Sequence, residues 1–182
     1  DVIKHIDKKK FYITGLSNLE LKRHHKVITK FYQNQFDEWH DIIDYNDKKL
    51  VDFIRSLNLD ILIDLNGFTF GNRLNIFAAR SAKKQIGWCG YNNSLGIKNM
   101  DYLIADKNLI KKDEEKYYKE KIIYIPKIWN AMSKPENLPK INDLPYKKNN
   151  IFRFGSFNSF KKISDDVIKV WSKIINNSNC EL

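Results

Sequence analysis

The sequence predicts an α/β fold built on a parallel sheet. Short apolar runs that read as buried strands alternate with amphipathic helical stretches, the order that sets helices between parallel strands. One run, residues 60–65, is apolar almost without interruption, as strands buried on both faces are. The helical stretches repeat their apolar residues at i, i+3, i+4 and i+7, the spacing of a helix packed on one side.

Residues 11–13 read as the first strand and residues 19–32 as the first helical stretch. Ile42 and Ile43, after Trp39, form a run too short to assign. Asn46 or Asp47 is placed to cap a helix carrying Leu50, Phe53, Ile54 and Leu57 on one face. Strand 60–65 follows, ended by Gly67. A helix is expected over 72–80, strands over 85–89, 101–105 and 121–125, and a charged helical connection over 111–119. Composition changes at Trp129, after which Pro135, Pro139 and Pro145 stand among polar residues without periodicity, the signature of a linker. A fresh strand over 151–157 then precedes a helix capped by Ser164, with Val167, Ile168, Trp171, Ile174 and Ile175 in one stripe. One βα unit cannot bury itself, so this second lobe is expected to be truncated. The expected organisation is a first lobe over 1–128, a linker over 129–150 and the start of a second lobe over 151–182.

Composition narrows the function classes. Of 182 residues, 42% are hydrophobic and 30% charged, ordinary values for a soluble globular protein. No apolar run nears the roughly 20 residues that span a bilayer. The first ten residues are charged and lack a signal-peptide core, so a cytoplasmic location without membrane attachment is expected. The chain does not start with methionine and reads as a piece of a longer product. Cys89 and Cys180 show no CxxC spacing, and His5, His24, His25 and His40 form no ligand pattern, so neither a metal site nor a disulfide framework is expected. A net charge of +10 and a pI near 9.4 invite nucleic acid. Against that, the charge is mostly lysine, scattered along the chain, with only Arg23, Arg55, Arg73, Arg80 and Arg153 as arginines.

Three segments could carry chemistry. Gly155, Ser156, Phe157, Asn158, Ser159, Phe160, Lys161, Lys162, Ile163 and Ser164 form a small polar loop between a strand's carboxyl end and a helix's amino end. Ligands of open α/β sheets bind at that edge, and free helix amides with a partial positive charge suit phosphate. A lysine ahead of the helix adds a full charge to steady a leaving diphosphate. A plain βα loop with two solvated lysines reads equally from these residues. The second segment is Asp64, Leu65, Asn66, Gly67, Phe68 and Thr69 with Arg73, which is also served by a turn-and-cap reading. The third runs from Trp88 through Cys89, Gly90 and Tyr91 to Gly96, where a glycine at a strand end lets backbone approach a ligand or simply closes a loop.

Segments 61–69, 72–80, 85–91 and 100–102, followed by Phe154 to Asn158 with Lys162, Ile163 and Trp171, resemble the O-linked N-acetylglucosamine transferase / SPINDLY family, above all its bacterial members. The matches keep family order over roughly residues 36–180. The resemblance implies a GT-B-like architecture: one largely complete Rossmann-like lobe and the first βα unit of a second. It implies metal-independent transfer of N-acetylglucosamine from a UDP-sugar donor to Ser or Thr hydroxyls of a protein or peptide acceptor, with no cofactor. By the resemblance, Lys162 is catalytic and steadies the donor diphosphate, and Asn158 shapes its loop. Cys89, Gly90 and Tyr91 line the sugar pocket, and Asn66, Gly67 and Arg73 form a first-lobe site.

The family pattern also includes parts not found in these residues: an upstream segment with another active-site histidine, the remainder of the second lobe, and tetratricopeptide repeats. The isolated chain is therefore expected to be inactive. This sequence also departs from the pattern. Asn92 and Asn93 stand where proline and glycine are common, Phe68 where histidine or tyrosine is usual, Glu38 in place of a histidine, and Ser159 where glutamine or asparagine is frequent. These departures keep open a catalytically dead binding or scaffold module of the same fold, and the basic charge keeps open a nucleic-acid-binding domain.

Overall fold

The computed structural model of the chain describes residues 2–19, 26–130, 138–178 and 180–181, the side chains of 26–28 excepted. The chain divides into two compact units, Asp1–Ser133 and Lys134–Leu182.

In the first unit, β1 (Thr14–Ser17) and β2 (Glu38–Asp41) form a two-stranded parallel sheet, linked by α1 (Lys26–Gln33). Helix α2 (Asp47–Ser56) leads to β3 (Ile61–Asp64), and α3 (Leu74–Ala78) leads to β4 (Lys84–Gly87). Then come β5 (Tyr102–Ala105), a 3-10 turn at Lys112–Tyr117 and β6 (Lys121–Tyr124). Strands β3 to β6 form one sheet in sequential order, every pair parallel, so all four carboxyl ends meet at one edge.

Asn46, not Asp47, caps α2, its side-chain oxygen accepting the Lys49 amide at 2.9 Å. Capping of this kind is worth about 1 kcal/mol. Leu50, Val51 and Ile54 then enter a core shared with Ile42, Leu62, Ile76, Phe77, Ala82, Leu95 and Met100. Burying each large aliphatic side chain contributes roughly 1.5–3 kcal/mol. A smaller cluster of Leu103, Ala105 and Ile110 lies under β5 and β6. Both clusters use the face that holds Leu62, Leu103 and Ile122. On the opposite face Ile86 is buried, while Ile61, Ile63 and Ile123 stay exposed to solvent.

Several elements differ from the sequence expectation. The first strand is Thr14–Ser17 rather than 11–13, because it forms by pairing with β2, while Phe11 and Tyr12 stay exposed. Glu38–Asp41, unassigned from sequence, is a strand for the same reason. Of the expected helix over 19–32, residues 20–25 lie outside the described ones, and α1 runs on to Gln33. Helix α3 is shorter than 72–80: Arg73 sits at φ −131° before it and Arg80 turns left-handed at φ 56° after it. The connection 111–119 is helical as expected, a 3-10 helix over Lys112–Tyr117.

The second unit contains α4 (Tyr146–Asn149), inside the stretch read as a linker, then β7 (Phe152–Arg153), α5 (Asp165–Asn176) and β8 (Cys180–Glu181). Strand β7 is two residues long, not the seven of 151–157, since among the described residues it pairs only with β8, in parallel. An Arg153–Glu181 ion pair at 2.7 Å ties the two strands. Ser164 caps α5 as expected, accepting the Val167 amide. The apolar stripe of α5 is present but no residue of it is buried. Among the described residues, no helix is long and apolar enough to cross a membrane.

Candidate functional site

At the carboxyl edge, the ends of β3 and β4 are locked together. The Asp64 carboxylate, 6% exposed, accepts the amides of Asn66 at 3.1 Å and Gly67 at 2.8 Å, which folds the chain back immediately after the strand. Burial pushes the Asp64 carboxyl above its ordinary value, and these two amides pull against that shift. Asn66 completes the turn: its carbonyl accepts from the Thr69 amide and hydroxyl, and its carboxamide donates to the Phe70 carbonyl.

Strand β4 continues by one bond, Trp88 N–H to the Asp64 carbonyl at 2.9 Å, and then reverses. Cys89 stands at φ 67° while the Gly90 amide donates to the Trp88 carbonyl, a γ-turn of the rare positive-φ kind. Strain of this type collects where a site over-determines its backbone. The reversal presses Gly90 onto the β3 loop so closely that a Cβ there would lie 2.6 Å from the Leu65 carbonyl carbon and 2.8 Å from Asn66 Cα. Gly67, at φ 54°, in turn lies against Tyr91, whose ring meets Phe68 edge-on at 5.4 Å. The Cys89 thiol is partly buried, which pushes its pKa up and keeps it protonated.

Asn66, Gly67, Cys89, Gly90 and Tyr91 thus form one constellation. Arg73 does not join it. Its guanidinium donates to the Tyr45 carbonyl and to Asn18, and pairs with Asp47 at 3.2 Å, so it braces the loops after β1 and β2. Asn18 in turn donates to the Gly71 carbonyl at 2.8 Å. His40 is likewise structural: its ring packs edge-on to Phe53 at 4.9 Å, and Nε2 lies 2.9 Å from Glu38 but out of line for a hydrogen bond.

In the second unit, Lys162 ends a 3-10 turn, Phe160–Lys162, just before the Ser164 cap. No acceptor among the described residues lies within reach of its ammonium, and Asn158 is exposed in the bend before it. Asp165 and Asp166 occupy the first turn of α5, placing two carboxylates at the helix start that would compete with an anion, a feature the sequence reading passed over.

A second clamp at the carboxyl edge was also missed. Asp106, just past β5, accepts the amides of Asn108 and Leu109 and, through its other oxygen, that of Trp129 at 2.7 Å. The Trp129 amide is the chief reason its carboxyl is held below the ordinary range. The Trp88 indole N–H donates to the Trp129 carbonyl at 2.7 Å, so the backbone leaving β6 is fastened to the sites that end β4 and β5. The available signal was the repeated ending of apolar strands in aspartate, Ile61 to Asp64 and Leu103 to Asp106.

Parallel strands gathering tight, glycine-dependent turns at one edge define the class: an α/β lobe with a Rossmann-like parallel sheet. The model of glycosyl transferase family 41 matches residues 22–143, and the chain belongs to that family. A mutant O-GlcNAc transferase from Thermobaculum terrenum superimposes with a TM-score of 0.84 at 27% identity, over 96% of this chain and 32% of that one. A protein of Eustoma exaltatum subsp. russellianum, described as a probable UDP-N-acetylglucosamine–peptide N-acetylglucosaminyltransferase SPINDLY, is 34% identical over 137 residues, 75% of this chain. A SPINDLY protein of Arabidopsis thaliana so described is 31% identical over the same length. The chain spans about 15% of the length of these curated relatives.

Proposed function

We propose that this chain is part of a metal-independent glycosyltransferase that moves N-acetylglucosamine from UDP-N-acetylglucosamine to Ser or Thr hydroxyls of a protein or peptide, and that these 182 residues alone do not turn over. The observation that carries the reading is the Cys89–Gly90–Tyr91 reversal held against Asn66 and Gly67 at the carboxyl edge of a family 41 lobe. Such tightly packed backbone turns at a sheet edge suit a sugar, which is recognised by fixed dipoles rather than by charge. Lys162 supplies a free ammonium for the diphosphate that leaves, and Asn158 shapes the loop before it. Relatives described as acting on UDP-N-acetylglucosamine and peptide support the choice of donor and acceptor.

In a longer chain that continues the second lobe, calorimetric titration of UDP is expected to show Lys162→Ala binding about tenfold or more weakly, the loss of one charge-assisted contact. Equal affinity and equal turnover would remove Lys162 from this role. Transfer by the isolated chain would overturn its inactivity. A second reading, a binding module without turnover, is favoured by one observation: Phe68, packed on Tyr91, offers no polar group where the family usually has one. Transfer by the longer chain disposes of it.

A further inference from the structure

The loop that carries Gly90 and Tyr91 runs on into a separate feature. Asn93 and Ser94 line one part of an open cleft of about 450 Å³, and Leu109, Glu114, Tyr117 and Tyr118 line the rest. That volume falls within the roughly 300–1,000 Å³ of small-molecule sites. The cleft belongs entirely to the first unit and uses none of Asn66, Gly67, Cys89 or Gly90.

The Asn93–Ser94 wall is fixed from behind. The buried Glu120 carboxylate accepts the Ser94 hydroxyl at 2.7 Å and the Leu95 amide at 2.8 Å. Several polar groups in front are left underused. The Asn93 carboxamide has one contact, the Tyr118 hydroxyl at the outer limit of 3.5 Å. One Glu114 oxygen accepts the Lys111 amide at 2.8 Å, and the other has no donor among the described residues. Tyr117 is 73% exposed, although the Lys116 ammonium lies 5.0 Å from its ring centroid.

The chemistry of this set is selective. The lining residues carry one carboxylate and no cation, although Lys116 lies beside Tyr117, so they give a strong anion no ligating cation of their own. They offer amide and hydroxyl donors, a carboxylate acceptor and a tyrosine ring with Lys116 on one side only, which together match a neutral ligand rich in hydroxyl groups with one apolar C–H face. We infer that this cleft is a saccharide-binding site, distinct from the Gly90–Tyr91 recess. The inference does not depend on the transfer reaction, since the cleft holds a sugar whether or not the longer protein turns over.

The test is titration of the 182-residue chain with N,N′-diacetylchitobiose, followed by backbone amide chemical shifts. Saturable shifts are expected at Asn93, Ser94, Tyr117 and Tyr118. Tyr117→Ala and Asn93→Ala are expected to weaken binding about tenfold each, whereas Tyr117→Trp retains it. Both side chains reach solvent, so the variants fold, and unchanged shifts elsewhere in their spectra check this. Absence of saturable shifts up to the solubility of the disaccharide overturns the inference. So do shifts that Tyr117→Ala leaves intact, or an equal response of the same residues to inorganic pyrophosphate. Lys162→Ala is expected to leave the titration unchanged, which separates this outcome from the fate of the proposed transfer function.

Discussion

Replacing Gly90 with alanine isolates the contact on which the candidate recess depends. Gly90 is not among the glycines with positive φ, so the added methyl carries no backbone-conformation cost and acts only through space. Its Cβ would overlap the Leu65 carbonyl, whose oxygen is nearest and whose carbon lies at 2.6 Å against roughly 3.5 Å for an unstrained carbon–carbon contact, so the two loops must part by more than about 1 Å. Overpacking of this order costs about 1–3 kcal/mol. Gly96→Ala is the counterpart: φ is 66° and nothing lies within 4 Å, so its cost of about 1–2 kcal/mol is conformational only. Gly67→Ala combines both, with φ 54° and a Cβ 2.7 Å from Tyr91 Cγ, and should be the most damaging of the three. Urea unfolding gives the stability order, and amide exchange gives the location. In Gly90→Ala the Asn66 and Gly67 amides should lose protection, because the loop that presents them to Asp64 is displaced, while in Gly96→Ala they keep it. A Gly90→Ala protein with wild-type stability and unchanged protection at these two amides would refute the close packing of the turns.

Gln85 is fully buried and its side chain makes three hydrogen bonds, accepting the Ser81 amide and donating to the Phe77 and Asn99 carbonyls. Gln85→Leu strands all three groups and should cost about 2–4 kcal/mol in urea unfolding, given roughly 1–3 kcal/mol for each unsatisfied buried group and partial relaxation. Asp101 is held below the ordinary carboxylate value chiefly by its hydrogen bond from Arg80. Its stabilising contribution is therefore present above pH 3.8 and lost as pH falls through the lower folded value. Asp101→Asn should be less stable at neutral pH and lose less on acidification than the parent; parallel pH–stability curves for the two would contradict the pairing.

What could be read from the sequence depended on how local the cause was. Strands β3 to β6 and helix α2 announce themselves because their apolar residues must face a core, α5 by the spacing of its apolar stripe, and Asn46 and Ser164 cap as their side chains dictate. Strands β1 and β2 do not, since Thr14, Gly15, Ser17, Glu38 and His40 show no alternation and become a sheet only by meeting one another. The same division holds at the site. Asn66, Gly67, Gly90 and Tyr91 stood out as small or turn-forming residues just past strand ends. The Asp106–Trp129–Trp88 clamp did not, because it joins residues 23 and 41 positions apart. The bracing role of Arg73 is not local either: its partners Asn18, Tyr45 and Asp47 come from elements distant in sequence.

The partly uncovered side of the β3–β6 sheet, with Ile61 51% and Ile63 44% exposed, governs how this polypeptide behaves in a test tube. Parallel sheets ordinarily bury both sides, so bare isoleucines favour one molecule sticking to another. The net charge of +10 opposes that through mutual repulsion, which dissolved ions screen over a distance of about 10 Å at 0.1 M. Added salt therefore weakens the force keeping molecules apart while leaving the attraction between greasy surfaces in place. Dilute buffer, not the saline usual for basic proteins, is the medium in which this chain stays dispersed.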